Sequence, residues 1–342
     1  MHLTFAILPR MSSDYFSQQI PKLYQDAAQF SRLALEIFQY QANSNAIYQR
    51  YLSLLHVEPD KIANVAEIPC LPISFFKKYA LKTGDWESKL QFSSSGTGGI
   101  QSVHHVRDQN AYLKNTVNGF ETFFKSPSEY CFLALLPSYL EREGSSLVLM
   151  LEHFIAESDY LQSGFYLNEF DLLKEKLQEC IAHKIPTILF GVPFGLLDFG
   201  EAHPMDLSDI TIFETGGMKG RRAELTKAQL YNLLEEYFNP KAIYSEYGMT
   251  EMFSQAYSLS TGKFQSSPTM DIAIREINDP FHLLNYERLG AINIYDLANF
   301  ETISFIATDD LGRKYSDGSF EVLGRMDNSD LRGCNLLIDE QR

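Results

Sequence analysis

Apolar positions recur every three or four residues over the first part of this 342-residue chain. From about residue 14 to 55, Phe16, Ile20, Leu23, Ala27, Phe30, Leu33 and Ile37 share that spacing, which predicts two or three amphipathic helices with a break at Pro21. Pro69 and Pro72 then favour an extended segment through Lys77. From Cys131 to Leu136 the run is wholly apolar and closes at Pro137, the pattern of a strand buried on both faces of a parallel sheet. Helical patterns over 145–157, 169–183 and 223–238 alternate with strand patterns over 187–190, 210–213 and 242–244, with Ser145 or Ser146 as cap of the first helix. From about residue 264 the pattern shortens to strands over 270–277, 290–295, 302–308 and 319–323, with a turn at Asp317-Gly318 and no intervening helix.

Strands alternating with helices predict an α/β fold, a mostly parallel sheet core with flanking helices. The later strands predict a smaller antiparallel β-subdomain. The expected division is a helical N-terminal segment (1–88) packing on the core, an α/β core with the ligand site (89–263), the β-subdomain (264–326) and a short tail (327–342).

Ligands of open α/β sheets bind beyond the carboxyl ends of the strands. Two loops at such ends are rich in glycine and polar groups, Glu214-Thr215-Gly216-Gly217-Met218-Lys219-Gly220 and Ser245-Glu246-Tyr247-Gly248-Met249-Thr250-Glu251. A third stretch, Phe92-Ser93-Ser94-Ser95-Gly96-Thr97-Gly98-Gly99-Ile100, precedes the first core strand. Its glycines and hydroxyls suit either an anion-binding nest or a flexible linker. It is not a Walker A loop, because no glycine-lysine pair of that form follows, and Gln101 stands where a dinucleotide fingerprint needs its third glycine. No Gly-x-Ser-x-Gly elbow is present. His104 and His105 are adjacent on an extended segment, so they point to opposite faces and do not suit a shared metal.

Composition narrows the partners. With 29 basic and 44 acidic residues the formal charge is −15 and the pI near 5.0, which argues against nucleic acid or an anionic membrane as the main partner. No apolar stretch approaches the roughly 18 residues of a membrane span, and Leu3 to Leu8 lacks the features of a signal peptide. Cys70, Cys131, Cys180 and Cys334 show no zinc spacing, so reduced thiols and a cytoplasmic location are expected.

Three blocks together resemble the adenylate-forming superfamily of acyl- and aminoacyl-activating ligases. They are Ser93-Ser94-Ser95-Gly96-Thr97-Gly98-Gly99, then Tyr247-Gly248-Met249-Thr250-Glu251, then Thr308-Asp309-Asp310-Leu311-Gly312-Arg313 with Asp317-Gly318 and Gly324-Arg325-Met326-Asp327. Pro72-Ile73-Ser74-Phe75-Phe76-Lys77 and Leu331-Arg332-Gly333-Cys334 are most similar to acyl-protein synthetases, the LuxE-type component of bacterial fatty-acid reductase systems, with phenylacetate–CoA ligases next. The resemblance implies a fold like the large N-terminal lobe of those enzymes, with ATP and Mg2+ as cofactors. It implies that a carboxylic acid, here a fatty acid, becomes acyl-AMP and is then passed to a thiol. That thiol belongs to a protein, such as a reductase or carrier partner, or to coenzyme A.

The resemblance also implies roles for residues. Ser93, Ser94, Ser95, Gly96, Thr97 and Gly98 would wrap the triphosphate, and Gly216 and Gly217 would line the adenosine site. Tyr247 and Gly248 would flank the adenine, Thr250 would bond the α-phosphate and Glu251 would hold magnesium. Asp310, aided by Arg325, would bind the ribose, Asp327 would be the hinge, and Cys334 would carry the acyl group. Ile100-Gln101-Ser102 stand where the superfamily's loop lysine is usual, Asp330 lies near the place of the lysine after the hinge, and the C-terminal lobe with its catalytic lysine has no counterpart before Arg342. Lys219, Arg221 and Arg222 are either substitute cations or ordinary surface charge. The missing lysines also admit a nucleotide-binding relative without adenylation. The aromatic stretch 190–199 and the helix expected over 111–124 suit either an acyl pocket or core packing.

Overall fold

A computed structural model describes residues 11–94, 99–137, 144–218, 222, 225–259 and 262–326. The N-terminal helices are α1 (Ser13–Gln19), α2 (Phe30–Ser44) and α3 (Ala46–Leu54), and a 3-10 turn at Ile20–Tyr24 makes the break expected at Pro21. Ser12 and Asn45 start α1 and α3 by accepting from the backbone N–H of Tyr15 and Tyr48. The segment through Lys77 is only partly extended. The two-residue strand β1 (Leu71–Pro72) gives way to a 3-10 turn at Ile73–Lys77.

A separate hairpin, β2 (Leu90–Ser93) with β3 (Val103–Val106), flanks the glycine-rich stretch and leads to α4 (Gln109–Glu121). The βαβ region then runs β4 (Cys131–Leu135), α5 (Ser146–Glu157), β5 (Gly164–Phe165), α6 (Phe170–Ala182), β6 (Thr187–Gly191), α7 (Pro193–Ala202), β7 (Ile210–Thr215), α8 (Lys227–Phe238) and β8 (Ala242–Tyr247). Strands β5, β4, β6, β7 and β8 lie side by side and parallel. Every residue of β4 and β6 is buried, as their unbroken apolar runs predict. Helix α7 was not legible in the sequence, because glycine and proline interrupt its apolar pattern. Pro193 at its first turn costs no hydrogen bond there. Helix α8 begins at Lys227 rather than at 223, where Thr226 and Gln229 form a capping box.

The chain then turns antiparallel through β9 (Ala256–Leu259), β10 (Phe264–Ser266), β11 (Met270–Arg275), β12 (Gly290–Asp296), β13 (Phe305–Lys314) and β14 (Phe320–Arg325). Strands β9 and β10 are additions to the expected set. The strand expected over 302–308 starts three residues later and continues to Lys314, so Asp309 and Asp310 lie within β13. A short 3-10 turn, Leu297–Asn299, precedes it. All these strands continue the parallel ones in one twelve-stranded sheet, ordered β11-β12-β13-β14-β10-β9-β8-β7-β6-β4-β5, with β1 paired to β13.

The core has three parts. One surrounds the parallel strands, including Phe120, Phe132, Phe154, Phe190 and Phe213. The second joins the N-terminal helices to β13 through Phe16, Phe38, Tyr48, Phe76 and Phe305. A small third cluster lies among the antiparallel strands. Among the described residues no helix is long and apolar enough to cross a membrane.

Candidate functional site

Strands β7 and β8 are in parallel register, with Glu214 opposite Ser245 and Thr215 opposite Glu246. The loops after them therefore leave the sheet side by side. Gly216 takes a φ of +80°, which a side chain would resist. At Gly248 a Cβ would stand 2.5 Å from Glu246 Oε1, so a side chain there would have to displace that carboxyl.

The strand ends carry two buried carboxyls. Glu214 is fully buried and accepts from Lys227 and Ser245, while its second oxygen has no partner among the described residues. Glu246 accepts from the Thr215 hydroxyl, and burial pushes its pKa up to about 7. A raised carboxyl favours folding while protonated, and that contribution is lost as pH rises from its ordinary 4.5 through about 7. Glu246→Gln, a neutral isostere, is expected to flatten this loss. Urea unfolding of both proteins across that interval checks it, with a difference of a few kcal/mol accumulating toward the alkaline end.

Tyr247 closes one side of the site. Its hydroxyl donates to Asp310 Oδ2 at 2.7 Å, and its ring packs on Phe264 and Phe320, each at 5.8 Å between centroids. Asp310 pairs in register with Arg325 across β13 and β14, and Arg325 Nε lies 3.9 Å from Asp310 Oδ1. Burial raises the pKa of Asp310, and the Tyr247 hydroxyl and Arg325 oppose that rise.

The segment from Thr250 to Ser254 is held from behind. His104 Nδ1 donates to the Thr250 carbonyl at 2.8 Å, and Asn299 Nδ2 donates to the Glu251 carbonyl at 2.8 Å. Thr302 bridges these two, its Oγ1 lying 3.1 Å from His104 Nε2 and 2.5 Å from Asn299 Oδ1. Asp296 accepts from the N–H of Phe253 (2.7 Å) and Ser254 (3.0 Å) and from the Ser254 hydroxyl (2.6 Å). This anchoring leaves the Glu251 carboxyl buried. Burial raises its pKa, while Ser102 and the charge of Arg325 oppose the rise.

The glycine-rich stretch joins the same place at its neck. Ser94 N–H donates to Ser102 O at 3.1 Å, and Ser102 N–H returns to Ser94 Oγ at 3.0 Å. Ser93 N–H donates to Gly144 O at 2.8 Å. Ser95, Gly96, Thr97 and Gly98 lie outside the described residues, as do Lys219, Arg221, Asp327, Asp330 and Cys334. Of the expected site residues, Gly216, Gly217, Tyr247, Gly248, Thr250 and Glu251 lie at or just beyond the adjacent ends of β7 and β8. Asp310 and Arg325 join them through the Tyr247 hydroxyl, and Ser93 and Ser94 lie at the neck of the glycine-rich stretch.

Other side chains have different duties. Arg222 is held by Asp198 and Glu201 of α7, at 2.7 Å to each Glu201 oxygen, so it is not a spare cation. His104 is fully buried and His105 partly exposed, as strand alternation predicts. Cys70, Cys131 and Cys180 are buried free thiols. Nothing in the sequence points to Asp296, Asn299 or Thr302, whose partners lie about 50 or about 200 residues away. Glu246 carries a faint signal, a carboxyl inside a strand at the edge of a glycine motif.

No protein-family model matches this chain, and no curated protein matches it. Solved structures do. A 2-hydroxyisobutyryl-CoA ligase in complex with 2-HIB-AMP and CoA superposes with a TM-score of 0.64 at 12% identity, covering 96% of this chain and 73% of that one. ATP-bound MatB from Rhodopseudomonas palustris gives a TM-score of 0.52 at 15% identity over 71% of this chain, which spans only 50% of MatB. An ATP-bound RpMatB-BxBclM chimera gives 0.51 at 17% identity, covering 71% and 49% of the two chains. At such identities the likeness is one of fold, and this chain has the fold of these CoA-ligase and ATP-bound structures.

Proposed function

We propose that this chain activates a carboxylic acid with ATP, forming acyl-AMP and pyrophosphate, and passes the acyl group to a thiol. The observation that carries the reading is the convergence of Tyr247–Asp310, Thr250–Glu251 and the neck of the glycine-rich stretch at the ends of adjacent parallel strands. Each supplies what one part of a nucleotide needs. Tyr247 offers an aromatic face for a base, and Asp310 a carboxylate for ribose hydroxyls. The Thr250 hydroxyl, unengaged by other described residues, is free to meet a phosphate oxygen. The fold shared with the ATP-bound and acyl-AMP-bound structures supports the same reading.

Magnesium fits the donor set. The Glu251 carboxylate is buried, offers hard oxygen and has no direct ion-pair partner among the described residues. Mg2+ is commonly held by one or two carboxylates together with substrate phosphates. Bound there, it would neutralise charge as two anions approach. The substrate carboxylate attacks the α-phosphorus, the bond to pyrophosphate breaks, and pyrophosphate leaves. A thiolate then attacks the acyl carbon and AMP departs. The protein's own task is to hold the anions in line and exclude competing geometry.

The acid is proposed to be fatty, and the first acceptor to be Cys334, handing on to a reductase-like or carrier protein. Coenzyme A is the other acceptor the fold relatives favour, since one of them binds it. Acid-dependent ATP–pyrophosphate exchange over fatty, aryl and amino acids tests the first step, and nucleotide binding without exchange for any acid overturns it. For the second step, Cys334→Ser is expected to abolish a hydroxylamine-labile acyl label on the protein while exchange continues. An undiminished label, or acyl-CoA release on adding coenzyme A, places the acceptor elsewhere.

A further inference from the structure

We infer that His104 is a positioning residue for the proposed metal site, fixing the Thr250–Glu251 turn through its Nδ1–H and through Thr302 and Asn299. The inference deepens the reading of Glu251 as a magnesium ligand and rests on it.

The geometry makes a closed ring of contacts. His104 Nδ1–H holds the Thr250 carbonyl, and Asn299 Nδ2 holds the next carbonyl, that of Glu251. Thr302 stands between the two holders, within hydrogen-bond distance of His104 Nε2 and Asn299 Oδ1. Thr302 is in turn fixed by its own carbonyl, which accepts from Asn45 Nδ2 at 2.9 Å and from Thr83 Oγ1 at 2.6 Å. Successive peptide planes are thereby tied down on the side away from the site, which sets where the Thr250 hydroxyl and Glu251 carboxylate can point.

The residue just before that strand adds to this support. Ser102, two residues before His104, closes the neck of the glycine-rich stretch against Ser94, and it opposes the rise that burial causes in the Glu251 pKa. The Thr250 carbonyl is thus referred to β3 and the Glu251 carbonyl to Asn299. A metal ligand needs this kind of outer support, and its loss commonly weakens metal affinity about 10–100-fold.

Packing alone would make a different demand. The His104 ring sits among Phe76, Phe92 and Phe253 at centroid distances of 5.4, 6.1 and 5.1 Å. Phenylalanine at 104 would satisfy that aromatic cage but supply no donor. Asparagine would fill it poorly but keep an N–H near the Nδ1 position. The two variants thus separate a positioning role from a packing role.

The readout is ATP affinity by calorimetry, measured in EDTA and in excess Mg2+. The wild type is expected to bind ATP more tightly with Mg2+. His104→Phe should lower this enhancement about tenfold with the EDTA affinity unchanged, and His104→Asn should retain most of it. Thr302→Val, which cuts the links to His104 Nε2 and Asn299 Oδ1 without touching the cage, should give a partial loss and serves if His104→Phe does not fold. The inference is overturned if His104→Phe and Thr302→Val keep the full enhancement, if the EDTA affinity falls in parallel, or if the wild type gains nothing from Mg2+. Acid-dependent pyrophosphate exchange is read separately. Its absence alongside the expected Mg2+ pattern overturns adenylation and leaves His104 in place.

Discussion

Glu251→Gln is expected to lower acid-dependent ATP–pyrophosphate exchange on the order of 10²–10³-fold, the scale on which removal of one preorganised electrostatic group acts. Glutamine has the same shape, and the neck of the glycine-rich stretch is closed by the Ser94–Ser102 bonds independently of this side chain. What is lost is the charge. A buried carboxylate without a cation of its own is costly to the fold, and burial already raises its pKa. The variant should therefore melt at the wild-type temperature or above it. Loss of exchange with unchanged or raised stability identifies Glu251 as a functional charge. A variant that exchanges normally removes it from the site.

The largest effect on stability is expected at Asp296. This fully buried carboxyl accepts two backbone N–H groups, from Phe253 and Ser254, and the Ser254 hydroxyl. Asp296→Ala strands the two backbone donors in the core, at a cost of about 3 kcal/mol, while the Ser254 hydroxyl keeps Thr269 Oγ1 as a partner at 2.8 Å. Asp296→Asn keeps one acceptor and should cost less. Because the freed backbone begins two residues after Glu251, Asp296→Ala should also lose nucleotide affinity even where it remains folded. Urea unfolding gives the first quantity and ATP calorimetry the second. An alanine variant as stable as the wild type would show that water or a rearranged side chain takes over these donors.

Much of the fold was legible because it rests on local pattern. The apolar run of Cys131–Leu135 fits a strand buried on both faces, and the helical spacing from Phe16 to Ile37 fits a face packed on the core. Helix α7 escaped because its glycines and proline mimic a loop, and its stability comes from burial of Phe194, Leu196, Leu197 and Phe199. The start of β13 was misplaced for a related reason. Thr302 and Ser304 are buried polar residues bonded to Asn299, His104 and Gln41 rather than to a strand partner, so their alternation imitates a strand that begins later.

The site divides in the same way. Tyr247–Glu251 is marked by its glycine, hydroxyl and carboxyl groups beyond an expected strand, whereas Asp310 and Arg325 stand out only through the resemblance of their segment to the adenylate-forming superfamily. The sequence by itself also determined the alternation of strands and helices, and hence that both polar loops leave parallel strands at one end of a sheet. Only the tertiary structure decided what stands behind them. His104, Asp296, Asn299 and Thr302 reach the segment from Thr250 to Ser254 across large sequence separations. Only the fold committed Arg222 to α7 and brought Tyr247 to Asp310. Hydrophobic periodicity records which face of an element is buried, but a hydrogen bond between distant segments depends on register and approach, and those exist only once the sheet has formed.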